Sequence, residues 1–293
     1  GIFSITAPSQ EDGAHDIYVQ TPNQAGTDTL DSASISLTID TSIAKPSITT
    51  TTTLTNDATP TIEGIAEAGS TVTLLSSGVA IGTITANGDG QFSITTPTLA
   101  DNTYLLTVTA EDAAGNISDA SDSLSITIDA TAPGKPSIIT TTSLTDDSTP
   151  TIEGIAEAGS TVTLFVDGES TGITTTADET TGAYAITPAE LEDGAYSLTV
   201  TATDTAGNTS EASSARSITV DTTAPAQPAI TTTTTLTDDS TPTIEGTAEA
   251  GSTVTLLSSG VAIDTTTAND NGQFSITTPT LADNTYSLTV TAE

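Results

Sequence analysis

Carboxylates are the side chains in this sequence with the numbers and the spacing to do chemistry. There are 38 Asp+Glu against three Lys+Arg and one His, a formal charge of −35 at pH 7. The acids recur in fixed phrases. Asp112-Ala113-Ala114-Gly115-Asn116 returns as Asp204-Thr205-Ala206-Gly207-Asn208, and Ala-Glu-Ala-Gly-Ser places Glu67, Glu157 and Glu249 alike. Three further acids, Asp40, Asp129 and Asp221, each close a run of alternating apolar residues. Hard oxygen ligands supplied by several chain segments are what Ca²⁺ takes, with backbone carbonyls and water completing about six to eight positions. Mg²⁺ suits such a set less, because it retains more of its waters. The same residues also carry a plainer reading: Asp and Asn cap turns with their own side chains, and Gly115 supplies a positive φ.

Other chemistries lack their parts. Cys is 0, so thiolate metal sites, disulfides and cysteine nucleophiles are excluded. One His (His15), two Lys (Lys45 and Lys135) and one Arg (Arg216) leave little for general acid–base or nucleophilic catalysis. The sequence therefore predicts a chain that is not an enzyme. The charge opposes contact with nucleic acid and anionic membrane surfaces, and no apolar run is long enough for a transmembrane helix. A disordered acidic tail is also a poor match, since 34% of residues are hydrophobic and only 14% charged.

Positioning the acids requires repeated elements. Thr-Pro-Thr-Ile-Glu-Gly begins at Thr59, Thr149 and Thr241, and the apolar runs that end in Asp mark the end of each repeat. Cutting after those aspartates gives residues 1–40 as the back of one unit and 41–129 and 130–221 as whole units. Residues 222–293 form a unit lacking its last strand. With no Met at position 1 and a cut repeat at either end, an interior section of a longer array is expected. Within 41–129 the apolar period is two, which predicts strands over 46–50, 61–66, 71–76, 80–86, 91–95, 104–109 and 123–128. Seven short strands in about 90 residues predict an all-β chain of seven-stranded immunoglobulin-like sandwiches set end to end. Tyr104, Tyr196 and Tyr286 stand just after a turn, where such a sandwich carries its tyrosine corner. His15 aligns with Tyr104 and is expected to substitute for it. Phe3, Phe92, Tyr184 and Phe274 share one strand position and are expected in the core, leaving too few rings for a sugar-stacking platform.

Alternating strand direction then brings acids together at each junction, three at the first two and two at the third. Asp40, Glu67 and Asp112 meet at the first, Asp129, Glu157 and Asp204 at the second, and Asp221 and Glu249 at the third. Asn116 and Asn208 stand beside them as secondary candidates. Asp57, Asp147 and Asp239, and likewise Asp101, Asp193 and Asp283, fall at the opposite pole, where they serve the following junction, a second ion or solvated turns. Asn87-Gly88-Asp89-Gly90 lacks the spacing of an EF-hand and reads as a hairpin turn.

The Thr-Ala-Pro linker, Thr-Pro-Thr-Ile-Glu-Gly, Ala-Glu-Ala-Gly-Ser-Thr-Val and Asp-x-Ala-Gly-Asn together resemble tandem bacterial immunoglobulin-like repeats. Such repeats occur in giant biofilm-associated and RTX-type surface adhesins exported by type I secretion. The resemblance covers residues 41–293; over 1–40 Asn23 and Thr27 replace Asp112 and Asn116, and Ser42-Ile43-Ala44 replaces Thr131-Ala132-Pro133. It implies an extracellular, calcium-rich setting at a bacterial surface and a spacer role, with neighbouring repeats and Ca²⁺ as partners. Each unit would add roughly 30–40 Å of reach, and Pro46, Pro133, Pro136, Pro225 and Pro228 would restrict bending of the linkers. Three other readings stay open: an adhesive module in its own right, a noncatalytic spacer of a secreted polysaccharide-degrading enzyme, and filament formation by strand donation.

Overall fold

The computed structural model describes residues 2, 4–26 and 29–293; the expectations for Phe3 and Thr27 fall outside them. Every regular element described is a β-strand. In the unit over 41–129 a three-stranded sheet runs Gln91–Thr95, Thr61–Ile65, Ser47–Ile48. It faces a five-stranded sheet ordered Leu54–Thr55, Leu124–Ile128, Asn102–Glu111, Thr71–Ser76, Val79–Thr85. The first predicted strand thus forms only over Ser47–Ile48, and a second short strand that the sequence did not predict, Leu54–Thr55, follows it in the other sheet. Ser47–Ile48 pairs antiparallel with Thr61–Ile65, then Leu54–Thr55 crosses over and pairs parallel with Leu124–Ile128. The same two sheets recur over 130–221. In the last unit two three-stranded sheets form, one of them ending on Leu288–Ala292.

Alternation explains the core. Along Asn102–Glu111, Leu106, Val108 and Ala110 point inward and are fully buried, while Thr107 and Thr109 face outward. They meet Ile62, Val72, Leu74, Phe92, Ile94, Ile126 and Ile128 from the other strands. Outward Thr keeps β-propensity high and still hydrates the exposed face. Ser77 and Gly78, both at positive φ, close the hairpin between Thr71–Ser76 and Val79–Thr85, as Asp167-Gly168 and Ser259-Gly260 do in the later units.

The corner residues behave as the sequence predicts. Tyr104, Tyr196 and Tyr286 donate to the carbonyls of Ala100, Glu192 and Ala282 at 3.0, 3.0 and 3.1 Å, each four residues back. His15 makes the same four-residue reach, its Nε2 lying 2.7 Å from the Glu11 carbonyl.

Two packing devices position the junction loops. The ring of Phe92 lies over Gly64, its cross-strand partner, and Tyr184 and Phe274 cover Gly154 and Gly246 in the same register. Tyr184 also donates to the Ser137 carbonyl at 2.9 Å, and burial pushes its phenol up to about 12. Ahead of the last strand, buried Ser118 and Ser121 accept from the N–H groups of Ala110 and Val108 and donate to the carbonyls of Asp119 and Asp122. Ser210 and Ser213 do the same in the next unit. Serine hydroxyls thereby continue a strand ladder where the backbone has left it.

Candidate cation-binding junctions

The long strand Asn102–Glu111 delivers Asp112 to the pole where the preceding linker enters. There Asp112 Oδ1 accepts from the N–H groups of Ala114 and Asn116 at 2.8 and 2.9 Å, while Oδ2 accepts from Asn116 Nδ2 at 2.7 Å. Gly115, at φ 92°, turns the chain so that its N–H returns to the Asp112 carbonyl. The Asn116 side chain holds the Asp112 carboxyl below its ordinary value, aided by the loop N–H groups and opposed by burial. Asp204 repeats the arrangement with Gly207 and Asn208. At Asp204 burial is the largest single influence and raises the pKa. Bonds from the Asn208 side chain and the N–H groups of Asn208, Gly207 and Ala206 together outweigh it, so this carboxyl too sits low.

Glu67 follows the Thr61–Ile65 strand in a loop whose backbone is satisfied internally. Its carbonyl accepts from the Ser70 N–H at 3.1 Å and the Ser70 hydroxyl at 2.7 Å, leaving the side chain free of that duty. Ser160 and Ser252 cap Glu157 and Glu249 in the same way.

At the first junction the carboxylate oxygens of Asp40, Glu67 and Asp112 lie within 4.8 Å of one another, a spacing fit for one cation. Asn116 Nδ2 also reaches the Asp40 carbonyl at 3.1 Å and its carboxylate at 3.5 Å, fastening linker to loop. The lone ion pair among the described residues, Lys45–Asp122, lies outside this set.

The second junction is joined differently. Asn208 Nδ2 donates to the Asp129 carbonyl at 2.7 Å, while Asp129, Glu157 and Asp204 are not gathered into a comparable group. Asn56, from the far pole of the preceding unit, comes up against Gly207 there. At the third junction Asp221 accepts from its own linker, at the Thr223 N–H, and Glu249 Oε2 accepts from Ala226 N–H at 3.2 Å.

The acids of the opposite pole divide into two groups. Asp57, Asp147 and Asp239 accept from the N–H and hydroxyl of Thr59, Thr149 and Thr241, capping the turn before the Thr-Pro phrase. Asp101 instead grips the outgoing linker, accepting from Ala130 N–H at 2.8 Å and from the Thr131 hydroxyl. Asp193 does this with Thr222 and Thr223, and Asp12 accepts from Thr41 and Ser42. The Thr131 hydroxyl first and the Ala130 N–H second hold the Asp101 carboxyl low; Thr223 leads at Asp193. The sequence offers these acids the following junction as one of several roles but does not give their linker partners, although the signal is present as an Asp before the corner residue and a hydroxyl residue in the linker. Asp283 occupies the same turn in the last unit.

A family profile described as "Bacterial Ig-like domain" matches residues 44–130 and 137–222, and one described as "Bacterial Ig domain" matches 224–293. No curated protein matches the chain. Among solved structures, the BSP domain of a biofilm-associated protein is 26% identical over 62% of this chain, with a TM-score of 0.26; the chain spans 30% of that structure. Fibronectin(III)-like modules of Clostridium thermocellum CbhA match at 18% identity over 60% of this chain and 93% of theirs, with a TM-score of 0.40. The C-terminal fragment of intimin, solved with its receptor's binding domain, matches at 12% identity over 61% of this chain and 64% of that one, with a TM-score of 0.35.

Proposed function

This chain belongs to the bacterial immunoglobulin-like domain family, and from that premise we propose that it is a noncatalytic stalk segment of a large cell-surface adhesin. In this reading its units hold a distal adhesive region away from the bacterium for attachment or biofilm formation, after export by type I secretion. Ca²⁺ at the junctions sets the angle between neighbouring repeats.

The carrying observation is the approach of Asp40, Glu67 and Asp112 to within 4.8 Å at the first junction. Three negative charges that close repel one another across a seam between a linker and two loops. A divalent cation offsets that repulsion and cross-links all three segments, so binding and stiffening are one event. Asp112 is already held as the anion by Asn116 and the loop N–H groups, which suits a ligand that must be deprotonated. The paired grips of Asp101 and Asn208 on residues 129–131 shorten the free linker further, as a spacer under tension requires.

The test is calorimetric titration of Ca²⁺ into the chelator-treated chain, with scattering in parallel. Saturable heat whose ion count falls in Asp112→Ala but is unchanged in Asp122→Ala, with a longer particle in Ca²⁺ than in chelator, is the expected result. Absence of heat, or an unchanged scattering profile, overturns the calcium reading.

A further inference from the structure

We propose that Asn87 is a self-modifying site, converting through a cyclic imide to a mixture of aspartate and isoaspartate at a rate set by the folded turn. In this step the Gly88 backbone nitrogen attacks Asn87 Cγ. An N–Cγ bond forms, the Cγ–Nδ2 bond breaks, and ammonia leaves with the proton given up by the Gly88 amide. Water then opens the imide at either carbonyl, and no oxidant, reductant or enzyme is needed.

Two features of the turn favour attack at this residue. Asn87 Oδ1 accepts from two backbone N–H groups, Asp89 at 3.0 Å and Gln91 at 2.8 Å. That pair of donors faces the oxygen on which negative charge develops as Cγ becomes tetrahedral, the arrangement that stabilises an oxyanion. The nucleophile is free: Gly88 is exposed, its N–H has no acceptor, and it carries no Cβ to hinder approach.

The last unit supplies internal controls. Asn269 has the same two-donor arrangement, from Asn271 and Gln273, but is followed by Asp270. Asn271 is followed by Gly272, but that glycine is buried and its N–H is committed to the Asn269 carbonyl at 2.8 Å. Only at Asn87 do a free glycine nitrogen and a donor pair coincide. In the middle unit the aligned residue is already an acid: Asp178 accepts from the N–H groups of Thr180 and Thr181 and from the Thr181 hydroxyl. Aspartate at position 87 is therefore compatible with the turn. Isoaspartate adds a methylene to the backbone three residues before Gly90, whose carbonyl holds Ala66 N–H at 2.8 Å, and so displaces the loop that carries Glu67.

The experiment ages the intact chain in mildly alkaline buffer, folded and in denaturant, and reads peptides by mass spectrometry with isoaspartate detection. In denaturant Asn87 and Asn271 should convert alike, since both precede Gly. In the folded chain Asn87 should convert while Asn271 is protected, and the Asn87 rate should rise about tenfold per pH unit as the amide must lose its proton. Gly88→Ala, whose new Cβ meets nothing within 4 Å, should lose the conversion while keeping the fold. No conversion at Asn87 in the folded chain, equal conversion at Asn271, or an unchanged rate in Gly88→Ala each overturns the proposal.

Discussion

Gly64→Ala probes how closely the strands of the three-stranded sheet are fitted. A Cβ at that position would lie 2.1 Å from the Ser47 carbonyl oxygen and 2.3 and 2.5 Å from Phe92 ring atoms. The ring can rotate away; the carbonyl cannot, because Ser47–Ile48 is paired with this very strand. Overpacking of this kind costs about 1–3 kcal/mol, and a backbone obstacle places the substitution at the upper end, about 2–3 kcal/mol. For a unit of this size that lowers the melting temperature by roughly 10–20 °C. Differential scanning calorimetry should show one transition moving while those of the other units stay. A double-mutant cycle with Phe92→Ala separates the obstacles. If the ring were the main one, Phe92→Ala would relieve part of the Gly64→Ala penalty. Since the Ser47 oxygen remains, we expect little relief on top of the roughly 3–5 kcal/mol that removing a buried Phe costs by itself. A Gly64→Ala chain that melts like the parent refutes the reasoning, as does full rescue by the second substitution.

Two further predictions concern the linkers. Asn208→Ala removes the bond to the Asp129 carbonyl and one bond to Asp204. It should widen the distance distribution between spin labels placed across the second junction and leave the first unchanged. The Asp101 and Asp193 clamps carry a defined pH dependence. Their folded pKa values lie below the ordinary 3.8, so their contribution is fully present above about pH 4 and is lost as pH falls through the lowered folded values. Scattering or amide exchange at residues 130–131 and 222–223 should therefore be constant from neutral pH down to about pH 5 and change only below about pH 4; loosening near pH 6 would contradict the clamp.

Much of the architecture was legible because β-sandwich strands write their burial at period two. Leu106, Val108, Phe92 and Ile126 stand inward where alternation puts them, and the turn before Tyr104 announces a corner. Even His15 is legible, because alignment of the repeats places it on the corner tyrosine, and it makes the corner contact with the Glu11 carbonyl. The short strand Leu54–Thr55, and the switch of sheet between it and the first predicted strand, were not readable. A run of five threonines after Ile48 has high β-propensity throughout, and only the presence of Leu124–Ile128 as a second partner decides where pairing changes. The serine ladder was likewise hidden, since an isolated Ser118 or Ser121 looks like loop composition until a strand N–H lies within reach.

Chain order and residue type were enough to say which acids belong to which pole, because strand count and alternating direction depend on local pattern alone. How those acids meet is a matter of a few ångströms between residues 27–75 positions apart, and no local pattern encodes that. Asp40, Glu67 and Asp112 close into one group, whereas at the next junction an Asn208 amide takes the Asp129 carbonyl. Side-chain rotamers and linker path settle such distances, and both are properties of the packed whole.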